Sequence, residues 1–388
     1  MKNINYIDNE PKLKKMCNRL ASEKYIAVDT EFLREKSYFS KLALIQIAVT
    51  DSVYFVDPIA IDNLSPLFDI FRSPDTLKVF HAAGQDLEAL FHRQQCVPSP
   101  IFDTQIAASL LGQGEQMGYA ALVRRLLNIE LKKGAARTDW MKRPLSPNQL
   151  QYAADDVRYL LQIYPILADK LEALGRQGWI ESELIELTNP DRYEVNPDAT
   201  WMKVKGAGKL KPNQLNVLKH IASWREITAM KKNIPKRWVL SDEALLDISI
   251  TQPCDAAEIT DNRLLKGKIS QRNIEAILSA VARASREPKS HWPQSLNRKP
   301  PTPKEEATID ILMAVCRLQA EQHQLSPGQI TSRGELLKII RNERELPLFK
   351  GWRLKIAGET VLDVLKGDYI LFCSQGEATL SLKTDTPL

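Results

Sequence analysis

Hydrophobic runs in the first quarter of the chain have the length and composition of buried strands. Tyr25 to Val28 is a short apolar run with aromatic and β-branched residues, and Leu42 to Val49 and Val53 to Val56 are two more. Such runs, separated here by the turn residues Thr50 to Ser52, are typical of β-strands. Leu77 to His81 is a further apolar run of the same kind. The pattern therefore predicts a meander of strands followed by another strand.

Helical patterns follow these strands. Gly84 to Leu90 begins a helix soon after the last strand, and a second helix begins at Ser146. There, Ser146, Pro147 and Gln149 form a capping-box pattern with proline at the first helical position. An amphipathic pattern then continues to Ile163. Strands combined with helices in this way predict an α/β fold for the first half of the chain.

Four carboxylates and one tyrosine lie within these apolar segments. Asp29 and Glu31 are two residues apart in a strand, so both side chains lie on one face and can share a cation. Asp86 is near the first turn of a helix, where the dipole favours a negative charge. Tyr152 and Asp156, four apart on a helix, share a face. Singly, each could be a turn, cap or core residue, but buried carboxylates together indicate a common cation.

The residues around these positions resemble the motifs of the ribonuclease D family, within a superfamily of exonucleases named for four acidic residues. Asp29 to Arg34 resembles its first motif, His81 to Glu88 its second, and Tyr152 to Asp156 its third. Phe102 to Thr104 and Arg137 to Trp140 also resemble family signatures. The resemblance continues into the second half, which is similar to the paired helical domains of that family.

Three positions decide the details of this resemblance: the third-motif ligand, the subtype and one loop. Asp155 lies beside Asp156, but only Asp156 follows Tyr152 by four residues, so the third-motif ligand is assigned to Asp156 and Asp155 is expected to be solvated or peripheral. Gln151 stands where histidine would mark the other subtype, which implies the tyrosine subtype. Ser40 replaces a proline common in the family, which concerns only the shape of that loop.

The resemblance implies both a fold and an activity. The fold is an α/β, ribonuclease H-like exonuclease domain with a mixed sheet, followed by two small all-α helical bundles. The activity is 3′-to-5′ exoribonuclease hydrolysis that releases nucleoside 5′-monophosphates, with the 3′ trailers of tRNA precursors and other structured RNAs as substrates. Two rivals stay open: a DNA-directed exonuclease with the same site, and a non-catalytic RNA-binding protein. The intact set of four acids and one tyrosine argues against the second.

The resemblance also implies a pair of divalent metal ions and a role for each site residue. Mg²⁺ or Mn²⁺ prefers oxygen ligands, and two ions about 3.5 to 4 Å apart activate a water and stabilise the leaving oxygen. Asp29 would bridge both ions, Glu31 and Asp156 would complete the site on the side of the attacking water, and Asp86 would serve the second ion. Tyr152, a poor general base at neutral pH, would orient the water by a hydrogen bond.

Positive charge is concentrated rather than abundant. The 388 residues carry a net charge of +5 with 44% hydrophobic content, but Trp201 to Leu240 contains ten lysines or arginines, the single acid Glu226 and three tryptophans. Such a stretch suits phosphate contacts and base stacking; the alternative is a solvated helix face with tryptophans in the core. With the residues beside the acids, the candidate substrate-binding residues are Phe32, Leu33, His81, Arg137, Lys203, Lys205 and Lys209.

A second basic stretch precedes the helix that carries Tyr152. Its position in the catalytic half predicts that it steers the RNA strand toward the acids. Its members are Arg124, Arg125, Lys132, Lys133, Arg137, Lys142 and Arg143.

Proline-rich segments divide the rest of the chain. Residues 189–197 and 287–303 have the character of linkers, and a weak repeat at an offset of 91 pairs Pro212 with Pro303. The predicted domains are residues 1–197 for the exonuclease, and 204–290 and 300–385 for two helical domains resembling the helicase-and-RNase-D C-terminal (HRDC) domain. The first is expected to bind phosphate, and the second to pack structurally or to shape the entry channel.

Several other classes of protein are not supported. Five dispersed cysteines have no paired spacing, which argues against a zinc site or a disulfide framework. No hydrophobic run has the length of a membrane span, and the expected location is the cytoplasm. Gly206 to Lys209 has the look of a phosphate loop, but Leu210 follows where a serine or threonine is required, so no ATP site is predicted. No protein partner is evident and a monomer is expected.

Overall fold

The computed structural model describes residues 3–132, 134, 137–265, 269–294 and 299–383. Two compact units form. The first contains residues 1–32, 42–192 and 301–388, and the second contains residues 33–41 and 193–300. The predicted three-domain boundaries stay a prediction, and their outer ends, Met1 and Asp385, lie outside the described residues.

A six-stranded mixed sheet is the centre of the first unit. Its strands are β1 (Asn3–Ile7), β2 (Tyr25–Leu33), β3 (Lys41–Ala48), β4 (Ser52–Val56), β5 (Leu77–Phe80) and β6 (Ile101–Asp103). The order across the sheet is β1-β4-β3-β2-β5-β6; β3 and β4 are antiparallel, while β1 with β4, β2 with β5 and β5 with β6 are parallel. The predicted meander and mixed sheet are confirmed.

Eight helices of the first unit surround or extend this sheet. They are α1 (Glu10–Leu20), α2 (Ser65–Arg72), α3 (Gly84–Gln94), α4 (Thr104–Leu110), α5 (Tyr119–Leu127), α6 (Pro147–Arg158), α7 (Leu160–Ala173) and α8 (Gln177–Thr188). The capping box predicted at Ser146 is present: its side chain accepts from the Gln149 backbone, and the Gln149 side chain accepts from the Ser146 backbone. The predicted helix is interrupted at Tyr159, where α6 gives way to α7.

In the described part of the second unit, five α-helices surround a separate core. They are α9 (Pro212–Lys232), α10 (Lys236–Val239), α11 (Asp242–Thr251), α12 (Ala256–Thr260) and α13 (Gln271–Arg286). Buried Leu218 and Ile221 of α9 pack with Leu245 of α11 and Ile277 of α13. Trp201 is also part of this core, being 5% exposed, so it is not available for base stacking.

The C-terminal helical module belongs to the first unit. Its elements are α14 (Pro303–Gln322), α15 (Pro327–Ile330), α16 (Arg333–Ile340), α17 (Gly351–Arg353), α18 (Glu359–Lys366) and the hairpin β7 (Tyr369–Ser374) and β8 (Glu377–Leu382). Leu312 and Trp352 share one continuous core with Leu44 and Phe55 of the sheet. Residues more than 250 positions apart thus stabilise the same body.

None of the helices in the described parts of the chain combines the length and apolar character that crossing a bilayer requires.

Candidate active site

Three carboxylates converge between β2 and α6. Asp29, Glu31 and Asp156 each offer an oxygen, and these oxygens lie within 4.8 Å of one another. The two acids of β2 point to one face because they alternate with Thr30, and Asp156 reaches them from the helix whose start is fixed by the Ser146 cap. Residues 125 positions apart thus form one cluster.

Asp86 lies beside this cluster in the first turn of α3. It is 7% exposed and accepts a hydrogen bond of 2.5 Å from the Thr30 hydroxyl. Its charge helps to raise the pKa of Glu31, which places its carboxylate within electrostatic reach of the others. Three of the predicted acids thus form the cluster, and Asp86 is linked to it through Thr30, the residue between Asp29 and Glu31. The sequence did not indicate this contact.

A further acid, Asp103, fixes the loop that carries Asp86. The Asp103 carboxylate caps α4 by accepting from the backbone of Gln105 and Ile106, and it also accepts from the amides of Ala82 at 3.1 Å and Ala83 at 2.8 Å. Ala82 has a positive φ of 58°, a conformation that costs energy without support. Asp103 thus positions the start of α3 and is a structural acid of the site.

Ionisation of the clustered acids is disfavoured in the metal-free protein. Burial, followed by the neighbouring carboxylates, raises the pKa of Glu31 to about 9. Burial and the charge of Asp156 raise the pKa of Asp29, and burial and the charge of Asp29 raise the pKa of Asp86 although the Thr30 hydrogen bond lowers it. Burial likewise raises the pKa of Asp156, against the lowering effect of its hydrogen bond with Tyr152. These shifts share a main cause, the burial of the carboxylates, to which the charges of neighbouring carboxylates add.

The donor set fits a hard divalent cation. Among the described residues, none of the four acids forms an ion pair with lysine, arginine or histidine. All their donor atoms are carboxylate oxygens, the ligands that Mg²⁺ and Mn²⁺ prefer. Buried carboxylates without a cationic partner are unfavourable, so a bound cation would remove the repulsion that raises their pKa.

The Tyr152 side chain contacts Asp156 and is closely packed against its neighbours. Its hydroxyl hydrogen-bonds to Asp156, and burial followed by the charge of Asp156 raises its pKa. The ring lies 6.1 Å from that of Trp140, and a Cβ at Gly134 would come within 2.5 Å of the Tyr152 ring. A side chain at position 134 would therefore collide with the Tyr152 ring, and glycine avoids this collision.

Tyr119 is a site neighbour that the sequence analysis missed. Its hydroxyl donates to the Asp155 carbonyl of α6 at 2.7 Å. Burial, then the charges of Asp156 and Asp29, raise its pKa, which places its hydroxyl close to the cluster. Its ring lies 5.5 Å from that of His81. A tyrosine at the start of α5 gives no sequence signal of this contact, since the contact depends on how α5 packs.

His81 has a defined orientation. Its Nδ1 lies 2.9 Å from the Thr104 hydroxyl, which itself donates to the Phe80 carbonyl, so Nδ1 is the donor in that contact. Burial lowers the pKa of His81, although Asp103 raises it. The lowered pKa favours the neutral imidazole, and its Nε2 is buried.

The remaining predicted residues occupy less specific environments. Phe32 and Leu33 at the end of β2 are half-buried, whereas Arg137, Lys203, Lys205 and Lys209 are exposed, the lysines within the second unit. Arg137 is not part of the acid cluster. Lys133 of the second basic stretch lies outside the described residues.

Two charged residues near α6 have structural roles. Arg143 donates to the nearly buried Asp57 through Nε at 2.6 Å and Nη2 at 2.9 Å, and also to the carbonyls of Ala43 and Trp140. The prediction that Arg143 steers RNA is therefore wrong, because its guanidinium is occupied by these partners. Asp155 forms an ion pair with Arg158 and is not one of the three clustered carboxylates.

Comparisons with known proteins agree with this geometry. Residues 4–172 match a family model described as 3′-5′ exonuclease, and residues 214–281 match the HRDC domain. Ribonuclease D of Zymomonas mobilis is 38% identical over 97% of both chains, and that of Jannaschia sp. is 38% identical over 92% of this chain and 93% of the relative. The crystal structure of Escherichia coli RNase D, described as an exoribonuclease involved in structured RNA processing, has a TM-score of 0.84 at 29% identity and covers 93% of this chain and 98% of its own.

Proposed function

Since the chain belongs to the ribonuclease D family and is a 3′-to-5′ exoribonuclease, we propose that it trims the single-stranded 3′ trailers of tRNA precursors and other structured RNAs. The reaction is hydrolysis of the terminal phosphodiester, with nucleoside 5′-monophosphates as products. The observation that carries the proposal is the convergence of Asp29, Glu31 and Asp156 with Asp86 beside them.

The catalytic residues of this proposal are the four acids and Tyr152. Asp29, Glu31, Asp86 and Asp156 would hold two divalent ions, Mg²⁺ or Mn²⁺. When bound, the ions would supply the positive charge that activates the attacking water and stabilises the leaving oxygen. Support comes from the all-oxygen donor set and from the uncompensated charge of the described acids.

Tyr152 keeps its proton in this scheme. Because burial and the adjacent carboxylates raise its pKa, the hydroxyl stays a hydrogen-bond donor at all physiological pH values. It therefore orients the attacking water rather than removing a proton from it. Tyr119 acts differently: by holding the Asp155 carbonyl, it positions the turn of α6 that carries Asp156.

Substrate contacts are proposed at three places. Phe32 and Leu33, which follow Glu31, would contact the terminal nucleotide, together with His81. Arg137 and the exposed lysines Lys203, Lys205 and Lys209 would contact phosphates.

The second helical module is proposed to be HRDC-like as well, within domain boundaries of 1–197, 204–290 and 300–385. The 91-residue repeat supports this: α9 and α14 begin at Pro212 and Pro303, and the side chains of Ser241 and Ser332 cap α11 and α16. We also propose the tyrosine subtype, a monomer and a cytoplasmic location. All five cysteines are free thiols, in keeping with a reducing compartment.

A product ladder tests the proposal. Purified protein with Mg²⁺ is incubated with a 3′-extended tRNA and with a DNA strand of matched sequence. The expected result is stepwise shortening of the RNA from its 3′ end, its abolition by EDTA and by Asp29→Asn, and slower turnover of the DNA. Equal turnover of DNA would favour a DNA-directed exonuclease, and turnover by Asp29→Asn would refute the site assignment.

A further inference from the structure

Trp238 presents an indole to solvent in the second unit. Its side chain is 62% exposed, in contrast to Trp201 of the same stretch, which is 5% exposed and part of the core. Trp224 is half-buried against that core. Exposure of a large aromatic side chain costs hydrophobic free energy and often marks a binding surface. Trp238 is not among the residues that form or pack against that core.

A groove with a volume of about 430 Å³ contains this tryptophan. Its walls come from the segment that follows β2 and from the residues at α10, and they consist of Arg34, Glu35, Ser37, Tyr38, Pro235, Lys236, Arg237 and Trp238. All of these residues belong to the second unit. The segment begins three residues after Glu31 along the chain. We call this surface the Trp238 groove.

One wall of the Trp238 groove is fixed by a buried carboxylate. Glu226, 2% exposed, accepts hydrogen bonds from the Tyr38 hydroxyl and from Lys236 Nζ at 3.3 Å. Asn233 Oδ1 accepts from the amides of Tyr38 at 3.1 Å and Phe39 at 3.0 Å. The groove is thus formed before any ligand arrives, which reduces the entropy lost on binding.

The charges of the Trp238 groove are arranged for a polyanion. Arg34 and Arg237 are exposed, and the contact of Arg237 with Glu243, at 3.4 Å between two exposed side chains, is a weak surface pair that phosphate can displace. Glu35 is the single acid among the lining residues. An exposed indole beside several cations is the combination that single-stranded nucleic acids require: a face for stacking and charges for phosphates.

We propose that the Trp238 groove binds the single-stranded tail of the RNA substrate, with one base stacked on Trp238 and phosphates beside Arg34 and Arg237. The inference rests on the proposed function, which supplies the RNA. It adds a binding site whose lining does not include Lys203, Lys205 or Lys209. It also predicts that the affinity for long tails depends on one aromatic side chain.

Binding in EDTA tests the inference without turnover. A fluorescent single-stranded RNA of about 12 nucleotides, a length within the range that such sites occupy, is titrated with wild type, Trp238→Leu and Trp238→Phe. Because stacking of one base contributes about 1–3 kcal/mol, Trp238→Leu should raise Kd roughly tenfold or more, while Trp238→Phe should retain most of the affinity. Ile250→Ala, at a 55% exposed side chain outside the groove, is the matched control and should leave Kd unchanged.

Turnover distinguishes failure of this inference from failure of the proposed function. With Mg²⁺, Trp238→Leu should raise KM for the same RNA and leave kcat near the wild-type value, because the variant retains all four acids. If Kd and KM of Trp238→Leu equal those of wild type, the groove serves another ligand, such as a protein, and the inference is overturned while the exonuclease stands. Turnover by Asp29→Asn would instead refute the proposed catalytic site.

Discussion

The Tyr152 hydroxyl is a donor whose role can be separated from the packing of its ring. Tyr152→Phe keeps the ring beside Trp140 and Gly134 and removes only the oxygen that meets Asp156. We expect kcat to fall by about 10²-fold, at the lower end of what one preorganised hydrogen-bond donor contributes, with KM little changed. Steady-state hydrolysis of a short RNA measures both. A rise in KM with unchanged kcat would show that the hydroxyl binds substrate instead.

Glu31 makes the stability of the metal-free protein dependent on pH. Its pKa is about 9 in the folded chain, against a usual value of 4.5. Between these values the folded chain holds a proton that the unfolded chain has lost. The stabilising contribution is therefore complete below about pH 4.5 and is lost as the pH rises toward 9. Glu31→Gln removes this dependence because the amide does not titrate.

Thermal unfolding in EDTA measures that difference. The Tm of Glu31→Gln relative to wild type should increase from about pH 5 to about pH 8, by several degrees. Added Mg²⁺ should reverse the order at the higher pH, since a cation bound to the folded chain stabilises wild type more. Glu35→Gln, an exposed neighbour outside the cluster, is the control. A pH-independent difference would mean that Glu31 is ionised in the metal-free fold.

At the residue scale, the sequence contained the acids but not their contacts. Asp29 and Glu31 were predictable because strand alternation places residues two apart on one face. The partners Thr30 and Tyr119 were not, because their contacts depend on how β2, α3 and α5 pack. Arg143 was misassigned since an arginine that binds phosphate and one that binds a buried aspartate look the same in a sequence.

The entry to α6 is held by Arg143. Its guanidinium joins Asp57, next to β4, to the Ala43 carbonyl of β3 and the Trp140 carbonyl ahead of α6. Burial opposes ionisation of Asp57, but hydrogen bonds from Arg143 and Tyr6 lower its pKa below the usual value. The ion pair therefore fixes the approach to the helix that carries Tyr152 and Asp156.

Arg143→Met should destabilise the fold and displace α6. Leaving the nearly buried Asp57 without its cation costs roughly 3 kcal/mol or more, and kcat should fall with the altered position of α6. Denaturant unfolding and hydrolysis measure the two effects, with Lys142→Met, at an exposed neighbour, as control. If Arg143→Met instead kept the stability of wild type and reduced the salt dependence of RNA binding, Arg143 would be shown to attract RNA.

Among the elements, long apolar strands were easier to predict than edge strands. β2, β3 and β5 are apolar runs and were identified as such. β1 lies at the edge of the sheet with two of its five residues exposed, so its polar sequence gave no strand signal. It forms because β4 offers a partner in parallel register, from Asn3 with Ser52 to Ile7 with Val56.

The C-terminal module is integral to the exonuclease body. Trp352, 4% exposed, stacks on Trp179 of α8 with centroids 4.7 Å apart and planes 12° apart, and its Nε1 donates to Glu183 at 3.0 Å. Arg176 donates to the carbonyls of Leu110 and His323, which ties α4 to the end of α14. These contacts favour the structural role predicted for the second module.

Trp352→Ala should lower the free energy of unfolding by about 3–5 kcal/mol, as expected for loss of a buried tryptophan. The salt dependence of RNA binding should be unchanged, because the stacked pair contacts no phosphate. Trp238→Leu should show the opposite combination, near-normal stability with weaker RNA binding. Denaturant titration and binding at several salt concentrations compare the two variants. A changed salt slope in folded Trp352→Ala would place the second module in RNA binding.

For the whole molecule, sequence order did not predict which segments form one compact unit. Residues 301–388 join the exonuclease fold, while residues 33–41, which interrupt it in the sequence, join the second unit. Proline-rich stretches mark where the chain can change direction. They do not specify which bodies share a core, because that depends on long-range contacts such as the Trp179–Trp352 stack.

The central claim, that four acids bind the catalytic cations, is tested most directly by Mn²⁺ binding to two adjacent aspartate variants. Asp156 lies in the cluster and Asp155 pairs with Arg158, so Asp156→Asn and Asp155→Asn change the same charge one residue apart. Free Mn²⁺ is followed by electron paramagnetic resonance during titration of each folded protein, with RNA hydrolysis measured in parallel. The account predicts weakened Mn²⁺ binding and loss of hydrolysis for Asp156→Asn and near-normal values for Asp155→Asn; equal Mn²⁺ binding by both variants would contradict it.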